Sequence, residues 1–138
     1  MIIISRCPYR ISLLGGGSDI NWYLEEEGYG MCLGTAFSQY STIALATTNS
    51  EKGILNYSIR EEYSQNTTIA HNLIRETFIA MNVLSKLELT SFGGNINGSG
   101  LGGSSSFLVA LVGAISNIKN KNFSNEEVAK IAVDIEIN

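Results

Sequence analysis

Apolar residues recur along this chain in two rhythms, and each rhythm predicts a different kind of element. Ile2 to Ile4 and Tyr9 to Leu14 are short strand-like runs separated at Pro8, whose ring fixes φ and removes a ladder donor, so two strands with a break are expected. Met31 to Phe37 and Ser41 to Thr48 predict two further strands, the second with Ile43 and Leu45 alternating against smaller residues. Asn49 to Gly53 has the composition of a turn. Leu55, Tyr57 and Ile59 then alternate with Asn56, Ser58 and Arg60, as in an antiparallel strand with one wet face. Leu87 to Phe92 predicts one more strand.

The longer period marks the helices. Ile20, Tyr23 and Leu24 share a face over Asp19 to Glu27, with Ser18 as the expected N-cap and Gly28 as the stop. Ile69, Leu73, Phe78, Met81 and Leu84 recur at helical spacing and predict an amphipathic helix of about four turns. Phe107 to Ile115 is apolar on every side, so the helix starting near Ser104 must be buried centrally. Ser124-x-x-Glu127 is a capping box that opens a last helix running to Ile137. Strand runs interleaved with helices of this kind predict an α+β domain with a mostly antiparallel sheet packed by helices.

Composition narrows the function. With 138 residues, 44% hydrophobic and 16% charged, the chain can bury one real core, and two domains would be crowded. A formal charge of -4 without any Lys/Arg cluster argues against nucleic acid or an anionic membrane as the main partner. Lys119 to Lys121 is too short for a basic patch and reads as a solvated loop. The apolar start, Ile2 to Ile4, is too short for a signal peptide, and no stretch approaches membrane-spanning length, so the cytoplasm is the expected compartment. Cys7 and Cys32 are isolated and are expected as buried free thiols. His71 is the single histidine, which excludes sites needing several imidazoles. It falls on the amphipathic helix and reads as a structural imidazole. Trp22 and Tyr23 read as packing residues rather than a sugar platform.

The segment from Gly98 to Ser106, Gly-Ser-Gly-Leu-Gly-Gly-Ser-Ser-Ser, joins the last predicted strand to the buried helix. Such a junction suits an anion, because glycines let the main chain approach a phosphate while the helix N-terminus directs N–H groups and a positive dipole end at it. Gly98, Gly100 and Gly103 match G-x-G-x-x-G literally, but a second helix follows where a Rossmann unit needs a strand ending in an acidic residue. Gly98 and Gly103 also have P-loop spacing. No lysine stands between the second glycine and Ser104, however, so that reading fails as well.

The loop instead resembles the G-L-G-S-S-type loop of the GHMP kinases, the family of galactokinase, homoserine kinase and mevalonate kinase. A second motif agrees with it: Cys7-Pro-Tyr-Arg-Ile-Ser-Leu-Leu-Gly-Gly-Gly-Ser-Asp19 resembles the family's first motif in the form found in D-glycero-D-manno-heptose 7-phosphate kinases. The resemblance spans the whole chain. It implies a domain similar to ribosomal protein S5 domain 2, the N-terminal (ATP-binding) part of a GHMP kinase over residues 1 to 138. The absence of a helix stop before Asn138 then suggests truncation, with a ferredoxin-like C-terminal domain beyond. The loop departs from the family in lacking a proline ahead of the glycines and in having Gly103 for the first serine of the pair, and both changes loosen the backbone.

The implied function is ATP-dependent phosphorylation of a sugar or sugar phosphate, specifically the anomeric hydroxyl of a heptose 7-phosphate. Phosphoryl transfer needs phosphates held, charge neutralised and the acceptor placed in line. By the resemblance, Gly98, Ser99, Gly100, Leu101, Gly102, Gly103, Ser104 and Ser105 would hold ATP. Ser104 and Glu136 would hold Mg²⁺, an oxygen-donor pair suited to that cation. Asp134 is the near competitor of Glu136 on another helix face. Gly16, Gly17, Ser18 and Asp19 would meet the sugar, and Arg10 would face charge developing at the reacting centre. The plainer readings are a first-turn helix carboxylate for Asp19 and a surface ion pair for Arg10. Relatives carry a catalytic aspartate and a third glycine-rich motif that would lie beyond Asn138. The competing hypothesis is a noncatalytic nucleotide-binding or interaction module that keeps the fold without turnover.

Overall fold

The computed structural model describes residues 1–93 and 99–137. Five strands form one sheet: β1 (Ile2–Leu14), β2 (Leu33–Thr47), β3 (Gly53–Asn56), β4 (Arg60–Tyr63) and β5 (Leu87–Phe92), in the order β1-β2-β5-β3-β4. All neighbours are antiparallel except β3 and β5, which run parallel with Leu55 beside Leu89. Among the described residues the helices are α1 (Asn21–Glu27), α2 (Asn72–Ala80), α3 (Gly103–Ile118) and α4 (Asn125–Ile137). A single 3-10 turn, Asn66–Thr68, precedes α2.

Pro8 does not break the first strand. β1 lies at the sheet edge, where a missing N–H is tolerated, and the ladder to β2 slips between Pro8 and Arg10 instead of ending. β2 likewise runs unbroken through residues 38 to 40, so two predicted pairs of strands are two long ones. The alternation from Leu55 to Ile59 has the opposite outcome. After Asn56 the chain turns, the Tyr57 amide donates to the Ile59 carbonyl at 3.0 Å, and the single predicted strand becomes the β3–β4 hairpin with Ile59 exposed.

α3 packs along β1 and β2 and carries α4 on another face, while α2 touches both helices. Ile43 and Leu45 of β2, Leu87 and Leu89 of β5 and Leu55 of β3 meet Ile74 and Phe78 of α2 and Leu111 and Ile115 of α3 in one core. Each such side chain contributes roughly 1.5–3 kcal/mol on full burial, which explains why the all-apolar stretch from Phe107 to Ile115 occupies the centre. The predicted capping box is formed: the Ser124 amide donates to Glu127 Oε2 at 2.8 Å and the Glu127 amide to Ser124 Oγ at 3.2 Å. Those hydrogen bonds hold the Glu127 carboxyl below its ordinary range.

Candidate functional site

The loop from Ser99 to Gly102 delivers the chain to α3 through two glycines in the left-handed region, Gly100 at φ 74° and Gly102 at φ 70°. Gly102 is the N-cap of α3 and has no side chain to satisfy the first-turn amides, so they face the loop. A Cβ on Gly102 would also stand only 3.0 Å from Arg10 Cγ and 3.2 Å from Arg10 Nε. Arg10 therefore lies across the loop. Its own amide donates to the Leu101 carbonyl at 3.1 Å, so the slip in the β1 ladder places Arg10 against the glycine loop by both backbone and side chain. Gly98, together with residues 94 to 97, lies outside the described residues.

Three consecutive serines on the first turn of α3 reach two partners, Glu136 and the Pro8 carbonyl. Ser104 Oγ donates to Glu136 Oε1 at 2.5 Å, Ser105 Oγ donates to Glu136 Oε2 at 2.8 Å, and Ser106 Oγ donates to the Pro8 carbonyl at 3.0 Å. Ser106 ties the helix to β1 at the residue that cannot donate, and Ser104 and Ser105 tie it to the last turn of α4. The resemblance places Ser105 at ATP; in the structure its hydroxyl is engaged by Glu136. Among the described residues no group of three or more His, Cys, Asp or Glu side chains converges. The donor set is still apt for Mg²⁺, since a hydroxyl and a carboxylate oxygen meet beside the glycine loop, a pair that suits a hard cation taking oxygen ligands.

The residues expected at the sugar form a second cluster. The Gly17 amide donates to Asp19 Oδ1 at 3.1 Å, closing a turn in which Gly15 and Gly17 have positive φ. Ser18 is not the cap of α1, which begins after Ile20 without a side-chain cap. Its Oγ instead lies 2.8 Å from the Gly15 carbonyl and 2.9 Å from the Met31 carbonyl, and accepts from the Met31 amide at 3.1 Å. A Cβ on Gly15 would overlap the Met31 carbonyl, so the turn is pressed onto the start of β2. Gly16 and Asp19 are exposed there. Arg10 lies on β1 and this turn follows the end of that strand, roughly 17 Å of extended chain away. Cys32 is exposed rather than buried, with Sγ near the Gly15 carbonyl, and Cys7 is half-buried. Trp22 is 61% exposed and meets Tyr23 edge-on, so it does not pack into the core.

The Phe107 ring stacks on His71, which also meets Tyr57 edge-on. His71 sits at the N-cap of α2, and its Nδ1 has no hydrogen-bond partner among the described residues. Burial pushes its pKa below the ordinary histidine value, partly opposed by the residue's own main chain and then by the charge of Glu61. The Tyr57 hydroxyl donates to Glu61 Oε2 at 2.9 Å, and burial together with that carboxylate pushes it up to about 12. No sequence signal announced the Leu101 carbonyl or the Ser105 contact. Both depend on which strand and which helix end abut the loop.

Residues 64–138 match the family model described as the GHMP kinases N terminal domain. The chain belongs to that family. Over 148 aligned residues this GHMP kinase domain is 28% identical to a D-glycero-alpha-D-manno-heptose 7-phosphate kinase of Campylobacter jejuni, covering 97% of the chain and 43% of that protein. The fold is shared with a D-glycero-D-manno-heptose 1-phosphate kinase from Bacteroides thetaiotaomicron, at a TM-score of 0.85 and 23% identity, over 99% of this chain and 48% of the other. Methanococcus jannaschii mevalonate kinase aligns with a TM-score of 0.76 and 21% identity, over 99% and 46%. The GHMP domain thus spans about half the length of the relatives it matches. Among its described residues no helix is long and apolar enough to cross a membrane.

Proposed function

We propose that this chain is the ATP-holding part of a sugar kinase that transfers the terminal phosphoryl group of ATP to a sugar-phosphate hydroxyl, specifically the anomeric hydroxyl of a heptose 7-phosphate. The observation that carries the reading is the meeting of Ser104 with Glu136, 32 residues apart, on the first turn of the buried helix and beside the loop that Arg10 overlies. A flexible glycine linker has no need of that convergence. Amides of residues 99 to 105 would hold the phosphate tail, Ser104 and Glu136 would hold Mg²⁺, and Arg10 would face the negative charge that develops as the phosphoryl group moves. Bound Mg²⁺ would supply charge neutralisation of the phosphate oxygens. Asp19, held by the Gly17 amide on an exposed turn, would accept hydrogen bonds from sugar hydroxyls. By the family resemblance, the base acting on the acceptor would be an aspartate shortly after the position of Glu136, and a ferredoxin-like C-terminal domain of the complete enzyme would add a third glycine-rich motif.

The relative from Campylobacter jejuni supports the heptose assignment, as does the triple-glycine turn before Ser18 and Asp19. Two measurements test the reading. Mg²⁺ with ATP should raise the unfolding midpoint of the chain and NAD should not, because only ligands that bind the folded state stabilise it. A chain indifferent to ATP with Mg²⁺ would remove the nucleotide half of the proposal. The longest native form, assayed against heptose 7-phosphate, fucose, galactose and mevalonate, should favour heptose 7-phosphate; turnover confined to another acceptor would remove the substrate half, and no turnover would favour the noncatalytic module.

A further inference from the structure

Glu136 is gripped by two hydroxyls, one on each carboxylate oxygen. Ser104 Oγ donates to Oε1 at 2.5 Å and Ser105 Oγ to Oε2 at 2.8 Å. Neighbouring residues of a helix point roughly 100° apart, so the donors reach the carboxylate from two sides and fix its rotation as well as its distance. The reading above gives Ser104 and Glu136 to the cation, and Ser105 has no part in holding the metal there. Resting on that reading, we propose that Ser105 is a positioning residue that keeps Glu136 a one-oxygen ligand and so selects Mg²⁺ over Ca²⁺.

The physical ground is the difference between the two ions. Mg²⁺ demands near-ideal octahedral geometry at about 2.0–2.1 Å and takes carboxylates through single oxygens, whereas Ca²⁺ accepts both oxygens of one carboxylate at about 2.3–2.6 Å. With Oε2 committed to Ser105, only Oε1 is presented on the side of Ser104. Released from Ser105, the carboxylate can turn both oxygens inward, a pose useful to Ca²⁺ and not to Mg²⁺. Ser105 is half-buried on the first turn of a helix anchored elsewhere by Leu108 and Leu111, so removing its hydroxyl leaves the fold's main support in place.

The test titrates Mg²⁺ and Ca²⁺ into the chain in the presence of a non-hydrolysable ATP analogue, by calorimetry, for the native chain, Ser105→Ala and Ser105→Thr. Ser105→Ala should shift the ratio of the two cation affinities towards Ca²⁺ by roughly three- to tenfold, the leverage of one hydrogen bond, and Ser105→Thr should restore it. An unchanged ratio, or equal weakening for both cations, overturns the inference and leaves the Ser104–Glu136 site standing. Absence of cation-dependent nucleotide binding in the native chain overturns the site itself and this inference with it.

Discussion

At Gly102 two constraints coincide: its φ of 70° suits a residue without a Cβ, and the space a Cβ would need is taken by Arg10. Gly102→Ala should lose about 1–2 kcal/mol in urea unfolding from the left-handed backbone alone. It should also displace Arg10, and with it weaken nucleotide binding by more than the stability loss implies. Equal nucleotide affinity in the variant, measured by calorimetry, would dissociate Arg10 from the loop's function. His71 raises a different question, because its unpartnered Nδ1 is held neutral between Tyr57 and Phe107. Its pKa is lowered on folding, so the unfolded chain takes up the proton first, and the stability this group contributes is present above about pH 6.5 and lost as pH falls below it. His71→Phe should be more stable by about 1 kcal/mol, since a buried unsatisfied polar atom is removed, and should lose less stability between pH 7.5 and pH 5 than the native chain. Parallel pH profiles would show that Nδ1 is solvated after all.

Helix ends decide how much of the fold the sequence discloses. The apolar period from Ile69 to Leu84 predicts four turns, yet α2 stops at Ala80 because Asn82 adopts φ 50° and reverses the chain. The Val83 amide then donates to the Phe78 carbonyl and the Asn82 amide to the Ile79 carbonyl, a Schellman ending with asparagine in the place usually held by glycine. Met81 and Leu84 keep the helical rhythm by coincidence, and Leu84 is left 84% exposed. α3 ends the same way at Asn120, with Lys121 donating to Ser116 and Asn120 to Asn117. Lys119, expected to be a solvated loop residue, donates to the Met81 and Asn82 carbonyls and so seals the end of the neighbouring helix. Elements whose signal is local, such as the Ser124 capping box and the Gly28 stop, were legible; those ended by an asparagine or joined across an edge proline were not. Asn82→Gly should therefore raise stability by a few tenths to about 1 kcal/mol, and Asn82→Val should lower it by about 1–2 kcal/mol. If chemical denaturation ranks valine above glycine at this position, the left-handed ending does not govern where α2 stops.

Across the molecule, the candidate site joins the best anchored helix to a weakly anchored one. α3 buries Leu108, Leu111, Val112 and Ile115 against the sheet side, whereas α4 buries only Val128 and Ala132 and rests on α3 and α2. The glycine loop carries its own motif and Glu136 is singled out only through the family resemblance, but the joining of α3 to α4 through adjacent serines is a tertiary event with no local signature. An element with so little apolar burial opens at a free energy well below that of global unfolding. Amides of α4 should accordingly exchange with deuterium well before those of α3 in the ligand-free chain. A ligand that needs Glu136 in place can bind only when α4 is docked, so ATP with Mg²⁺ at about 100 times its Kd should slow α4 exchange by up to about 100-fold. Glu136→Gln, which keeps the size of the side chain but removes the charge and turns one of the two acceptor oxygens into an amide donor, should retain the slow exchange of α3 and lose most of the ligand's protection of α4. If α4 is protected equally in that variant, the helix is recruited by something other than the carboxylate, and the path from the serine pair through Glu136 to the weakly anchored helix is not the one the ligand uses.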